Sequence, residues 1–229
     1  MKKPVKKIKK LSQREKLSRM RKAIKFTEIG FKAARYYLKS GITERMLAAK
    51  IEYAMRTSGA TWFAFPSIVC AHNFKNIHAT PTNYKIKPTD TVIIDIGASY
   101  KGVCADMTRT FCLRPSEKVK TLYNLVKHAH DTSASLMCPR AKARIIDKTA
   151  RDIITKAKYK IPHGLGHGVG TRVHENPSLK PRSRHILKTG QVVTIEPGVY
   201  LPSMGIRIED MYLITKHGIK KLTKYPRKL

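Results

Sequence analysis

The sequence predicts one α+β domain, on two observations. Helical periodicities fall in blocks instead of alternating with strands, and the strand-like segments between them carry turn signals suited to antiparallel pairing. A third observation bounds the answer: 229 residues with 41% hydrophobic content suffice for one sizeable core, and no Pro-, Gly- or Ser-rich linker divides the chain. No run approaches the roughly 18 apolar residues of a membrane span, and the basic start is not followed by the apolar stretch of a secretory signal. The expected protein is soluble and cytoplasmic. Cys70, Cys104, Cys112 and Cys138 show no C-x-x-C spacing and read as reduced thiols.

Taken in order, residues 1–13 read as a basic, solvated tail, because Lys2, Lys3, Lys6, Lys7, Lys9 and Lys10 repel one another. From Arg14 to Leu38 the spacing of Phe26, Ile29, Ala33 and Tyr36 or Tyr37 predicts a helix ending at Ser40-Gly41. Thr43 caps a second helix with Leu47, Ile51 and Ala54 inward, stopped by Ser58-Gly59. Thr61 to Cys70 reads as a strand, residues 71–90 as a polar loop, and Thr91 to Ile96 as a dense β-branched strand. Two helices follow Ser116, the first carrying Leu122, Leu125, Val126, Ala129 and Leu136, the second Ile145, Thr149, Ile153 and Ala157. Gln191 to Leu201 and Gly205 to Thr215 are expected as strands.

The acids are the informative residues. Asp95 interrupts Val92-Ile93-Ile94, Asp106 follows Val103-Cys104-Ala105, Glu196 follows Val192 to Ile195, and Glu209 follows Ile208. Singly, each reads as a hydrogen-bonded turn or sheet-edge residue. Four carboxylates inside apolar strands are costly to desolvate unless something positive pairs with them. Asp95 and Asp106 lie 11 residues apart around a Gly-containing turn, and Glu196 and Glu209 lie 13 apart around Pro197-Gly198 and Met204-Gly205. Two hairpins would bring each pair onto neighbouring strands. Two divalent cations would neutralise the four charges, and an oxygen-rich set with one nitrogen suits Mn²⁺, and less selectively Co²⁺, Fe²⁺ or Zn²⁺. The nitrogen is expected from His163-Gly-Leu-Gly-His167-Gly-Val-Gly170, followed by His174-Glu175. The same glycines could be read as a phosphate loop, but the Lys-Ser/Thr of a P-loop and the context of a dinucleotide fingerprint are missing.

At these residues the chain resembles a known family. Ile94-Asp-Ile-Gly-Ala-Ser-Tyr100, Cys104-Ala-Asp-Met-Thr-Arg-Thr110, Pro162-His-Gly-Leu-Gly-His-Gly-Val-Gly170, Val173-His-Glu-Asn-Pro177, Thr194-Ile-Glu-Pro-Gly-Val-Tyr200 and Ile206-Arg-Ile-Glu-Asp210 are similar to the Xaa-Pro peptidase branch of the M24 metallopeptidases, the aminopeptidase P and prolidase type. The likeness runs from about Met20 to Leu229. It implies the pita-bread fold over residues 14–229, a pseudo-twofold antiparallel sheet with flanking helices. It also implies two metals held by Asp95, Asp106, His167, Glu196 and Glu209, with Asp106 and Glu209 bridging, Asp95 completing one site, and His167 with Glu196 the other. His78, 17 residues before Asp95, matches a histidine facing the substrate, His174 one contacting the scissile carbonyl, and His163 a further pocket histidine. Arg207 matches a supporting partner two residues before Glu209 on the same strand face.

The implied activity is that of an aminopeptidase cutting Xaa-Pro bonds of peptides with a free N-terminus. A bridging water acidified by the cations would attack, with Glu196 accepting its proton and His174 steadying the oxyanion. Aminopeptidase P and prolidase carry an additional N-terminal domain, where this chain shows only a basic helix-forming stretch, so the catalytic domain alone is expected, as monomer or homodimer. Methionine aminopeptidase is the enzymatic alternative, but that branch shows Cys-Gly-His-Gly-Ile-Gly and Phe-His-Glu where this chain has Leu165-Gly-His167 and Val173-His-Glu.

The net charge is +32, from 47 Lys and Arg against 15 Asp and Glu. Residues 1–27 hold twelve basic residues and one acid, Glu15, so the excess is global and not confined to the start. Such a field attracts RNA, the ribosome or an anionic membrane surface. No aromatic-interleaved RNA motif accompanies it, so the contact expected is non-specific. Compositional bias alone would also place Lys on every solvated face. A catalytically inactive, ribosome-binding relative would be marked by missing ligands, and all five are present.

Overall fold

In the computed structural model, residues 11–229 are described, so the basic segment 1–10 lies outside them. The first half opens with α1 (Gln13–Tyr37) and α2 (Glu44–Thr57), followed by β1 (Trp62–Phe63), β2 (Ile68–Cys70), β3 (Val92–Ile96), β4 (Ala98–Tyr100), β5 (Val103–Cys104) and β6 (Met107–Phe111). The second half repeats the plan: α3 (Glu117–Ser135), α4 (Ala143–Lys156), β7 (Gly166–Gly168), β8 (Glu175–Leu179), β9 (Val192–Ile195), β10 (Gly198–Leu201), β11 (Met204–Arg207), β12 (Asp210–Thr215) and β13 (Gly218–Lys221).

The repeat extends to the pairing. β3 lies between β2 and β6 in one sheet, and β9 lies between β7 and β12 in the other, which β13 and β8 extend at its edges. Every strand pair is antiparallel. Each half also throws out a hairpin, β4 with β5 and β10 with β11. This is the pseudo-twofold, antiparallel α+β architecture expected. The halves meet where the Glu209 N–H donates to the Thr108 carbonyl (3.1 Å) and the Thr110 hydroxyl donates to the Arg207 carbonyl (2.9 Å).

Separate apolar cores fill the halves, one under α1 and α2 and one under α3 and α4, while Met20, Ala23 and Ile24 of α1 reach across to Val169, Val192 and Met211. The first helix begins one residue earlier than expected, with the Ser12 hydroxyl accepting from the Glu15 N–H in a reciprocal capping box.

Two helix faces differ from expectation. On α1 the buried row is Ala23, Ile24, Thr27, Gly30, Phe31 and Ala34, whereas Tyr36 is 81% exposed. Gly30 and Thr27 belong to this row because the sheet comes close: a Cβ on Gly30 would stand 2.9 Å from Ile96, and the Thr27 hydroxyl accepts from the Ala98 N–H. On α4 the buried row is Ile146, Ala150 and Ile154, not Ile145, Thr149 and Ile153. This row packs into the second core, and the buried Asp147 beside it pairs its carboxylate with Arg151.

Three strands expected as continuous are broken. Pro66 splits 61–70, Pro197 splits 191–201, and the chain leaves the ladder at Ile208-Glu209.

Candidate metal centre

The acids sit where strands end or break. Asp95 is near the end of β3, Asp106 immediately precedes β6, Glu196 immediately follows β9, and Glu209 immediately precedes β12. Asp106 and Glu209 therefore occupy equivalent positions in the two halves. His167 is the middle residue of β7, beside β9. Glycine is needed next to it, because a Cβ on Gly166 would stand 2.0 Å from the Thr194 carbonyl and one on Gly168 2.3 Å from that of Asn176.

One ligand-capable atom each from Asp106, His167 and Glu209 falls within a 4.8 Å group. The His167 Nε2 lies 3.5 Å from Asp106 Oδ2 and 3.3 Å from Glu196 Oε1. Its Nδ1 donates to the Gly168 carbonyl (3.1 Å), which fixes the ring and turns Nε2 toward the carboxylates. Asp95 Oδ2 accepts from Arg207 Nη2 at 2.7 Å, and Glu209 Oε2 accepts from the Thr108 hydroxyl at 2.9 Å. The remaining oxygens, Asp95 Oδ1 and Glu209 Oε1, are buried without a hydrogen-bond partner among the described residues. Buried, unpaired carboxylate oxygens converging beside an imidazole nitrogen fit a cation site.

Charge is held at strained values. Burial, reinforced by Glu209 for Asp106 and by Glu196 for Glu209, drives both carboxyls well above the carboxylate range. Burial also raises Asp95, against the pull of Arg207. Burial would raise Glu196 as well, but the His167 hydrogen bond and charge hold it at about 2. His167 is the converse: burial lowers it, yet Glu196 and Glu209 lift it to about 9.

The other expected residues lie on the walls. A cavity of about 300 Å³ is bounded by Phe65, Pro66 and Ile68 on one side and by His78 and His174 on others, with the carboxylates at its floor. An adjoining hollow of about 480 Å³ reaches His163 and Arg207. All nine residues singled out from the sequence line one or both. His174 stacks edge-on against His167, with ring centroids 4.4 Å apart. Burial and the neighbouring His167 charge keep its pKa low, and burial does the same for His163.

Arg207 differs in one respect from expectation. It ends β11, before the break, and does not share a continuous strand with Glu209. Its guanidinium instead binds Asp95, the Thr108 hydroxyl (3.2 Å) and the Tyr200 hydroxyl (2.9 Å).

Two residues escaped the sequence reading. Thr108 bridges Arg207 to Glu209, and its signal was alternation with Asp106 along one strand face. Tyr200 lies between Arg207 and His163, whose Nε2 it contacts at 2.8 Å. His163 Nδ1 donates to the Gly164 carbonyl, so Nε2 is the acceptor and the tyrosine hydroxyl the donor. Nothing in the sequence marked Tyr200 as more than a strand aromatic.

A fold of two pseudo-equivalent halves with carboxylates and one histidine gathered at their seam defines a class, the metallopeptidases of family M24. Residues 18–216 match that family, and the chain belongs to it. Among similar proteins, an Xaa-Pro dipeptidase of Pyrococcus furiosus is 36% identical over 230 residues, covering 98% of this chain and 66% of the relative. An uncharacterized peptidase of Methanocaldococcus jannaschii is 40% identical over 231 residues, 96% of this chain and 65% of its own length. The prolidase of Pyrococcus horikoshii OT3 superposes with a TM-score of 0.90 at 38% identity over 93% of this chain and 63% of that one. The X-Pro aminopeptidase of Thermotoga maritima MSB8 does so with 0.91 at 32% identity, over 96% and 63%. The chain thus spans about two thirds of the length of these relatives. Among the described residues no helix is long and apolar enough to cross a membrane.

Proposed function

We propose that the chain is an aminopeptidase that removes the N-terminal residue of peptides carrying proline at the second position, acting in the cytoplasm as monomer or homodimer. The observation that supports this reading best is the set of unpaired carboxylate oxygens beside His167 at the floor of a cavity walled by His78, His174 and an apolar Phe65-Pro66 edge. Asp95, Asp106, His167, Glu196 and Glu209 would hold two divalent cations, Mn²⁺ being the ion this donor set suits, with Co²⁺, Fe²⁺ and Zn²⁺ less selectively held. Bound there, the cations would supply Lewis-acid polarisation of the carbonyl and a water of much lowered pKa.

The chain's own groups do the rest. Glu196 would accept the proton of the attacking water. His174, kept neutral by its surroundings, donates from its ring to the carbonyl oxygen as negative charge develops there. His78, on the same cavity, would be near the leaving nitrogen or the amine. Arg207 acts through others: it fixes Asp95 directly and Glu209 through Thr108, and its hold on Tyr200 orients the hydroxyl that His163 accepts. Proline lacks a backbone N–H, so the Phe65-Pro66 wall, which need offer the ring no acceptor, suits it at the second position.

The reading is tested by incubating the purified chain and Mn²⁺ with Ala-Pro, Met-Pro and Met-Ala peptides. Cleavage of the Xaa-Pro members, abolished by a chelator, is expected. Equal or faster cleavage of Met-Ala would transfer the assignment to methionine aminopeptidase.

A further inference from the structure

Away from the site, two segments run side by side as an irregular antiparallel ribbon. Lys142 pairs with Ile186, and backbone hydrogen bonds join Arg140 to Leu187, Leu187 to Ala141, and Ala143 to His185. Along 182–188 the side chains alternate. Ser183 and Leu187 are buried, while Arg182, Arg184, Ile186 and Lys188 are exposed. On the facing segment Arg140, Lys142 and Arg144 are exposed and Ala143 is buried. Arg140 and Lys188 flank one end of this pairing, and Arg184 and Arg144, the second residue of α4, flank the other. Crowded like charges repel one another, and none of these six cations forms an ion pair with an acid among the described residues. Asp147, the one nearby acid in sequence, is buried and already paired with Arg151.

The ribbon is concave. A hollow of about 240 Å³ is lined by Lys142, Arg144, Ser183, Arg184, His185 and Ile186. His185 Nδ1 accepts from the Ser178 N–H (3.1 Å), so the ring proton is on Nε2, a donor on a histidine that lines the hollow. The N-terminus of α4 begins at the same place without a side-chain cap, which adds partial positive charge.

We infer that the ribbon 140–144/182–188 is a docking surface for the phosphate backbone of a nucleic-acid strand. The complementarity is one of charge and of group. Four of the six cations are arginines, whose planar fork matches phosphate oxygens in pairs. Cations strung along both segments track a linear polyanion better than a compact one. The ribbon carries no Phe, Tyr or Trp on which a base could stack, so recognition is chiefly of the backbone and independent of sequence. None of the residues belongs to the metal centre. His185 is nonetheless tied to Ser178, which pairs with His167 between β7 and β8, so the docked strand lies close to the peptide cavity without filling it.

The test uses the full chain and a fluorescein-labelled 20-nucleotide poly-U RNA, with anisotropy read across a salt series. The ribbon variant combines Lys142→Gln, Arg144→Gln, Arg182→Gln and Arg184→Gln. A control variant removes the same charge elsewhere through Lys32→Gln, Lys39→Gln, Lys118→Gln and Lys216→Gln. The ribbon variant should bind at least tenfold more weakly at 0.1 M salt, with the slope of log K against log salt shallower by about 2 to 3. The control should lose less than threefold. The melting temperature of the ribbon variant should match or exceed that of the parent, because crowded like charges have been removed, so weak binding is not a sign of misfolding. Equal losses in both variants, or no RNA binding by the parent at 0.1 M salt, would overturn the inference. Selective loss of binding to phosphatidylserine vesicles with RNA binding unchanged would replace the occupant by a membrane surface.

Discussion

At the proposed metal centre, single side chains would divide into those that touch the reacting atoms and those that hold them. His174 is expected in the first group. Changing it to alanine should lower kcat by about 10² to 10³ on an Xaa-Pro peptide with a smaller change in KM, as when an oxyanion donor is lost. An unchanged kcat would make it a structural neighbour of His167. Tyr200 belongs to the second group. Tyr200→Phe removes one hydroxyl from between Arg207 and His163, so kcat should fall by about tenfold while metal content stays at the parental level. Metal loss on the same scale as activity would show instead that the hydroxyl serves the ligands. The four acids stood out in the sequence as candidate ligands because a carboxylate inside a β-branched run is too costly to bury without a positive partner. Thr108 and Tyr200 were not, because a buried hydroxyl is ordinary until its partners are seen.

Elements were legible in kind and less so in facing. The adjacent isoleucine pairs of α4, 145 with 146 and 153 with 154, offer two apolar rows one residue apart, and periodicity cannot choose between them. The choice rests on Arg151, which reaches the carbonyls of Ile161 and His163 while gripping Asp147, so the helix also anchors the chain at His163. In the sheets, the sequence showed apolar runs but not their interruptions, and a broken strand is what allows a carboxylate to turn out of the ladder. Close packing beside β7 gives a prediction at this scale. Gly166→Ala places a methyl against the Thr194 carbonyl and should cost about 1 to 3 kcal/mol in denaturant unfolding, with loss of activity from displacement of His167. Gly164→Ala, whose nearest clash is 3.1 Å, should cost less. Comparable losses in the two would point to backbone entropy instead of contact.

For the molecule as a whole, the raised carboxyls tie stability to pH and to cations. Asp106 and Glu209 have folded-state pKa values above their ordinary 3.8 and 4.5. The native protein without metal therefore holds more protons than the unfolded chain, and its stability falls as pH rises through the interval up to those folded values. Bound cations compete with the same protons, and also with that of His167 at about 9. The gain in melting temperature on adding Mn²⁺ should accordingly be larger at pH 8 than at pH 5. Equal gains would show that the ion binds elsewhere. Only the excess of positive charge, and not its gathering along one ribbon, could be read in advance, since the ribbon depends on a pairing between residues some 40 apart.

The seam between the halves has a consequence for the order in which the molecule is built. Thr108 to Glu209 and Arg109 to Asp210 are each separated by 101 residues, and Arg207 to Asp95 by 112. Loops of that size close late, because the entropy of bringing their ends together must be met before any contact rewards it. Each half has its own apolar nucleus in hand beforehand. The seam should thus be unformed at the rate-limiting barrier. Thr110→Ser and Arg109→Lys would then quicken unfolding while leaving the refolding rate nearly unchanged, with φ near zero, whereas Val126→Ala in the second core would slow refolding. High φ at the seam would mean that the two halves meet before either is formed.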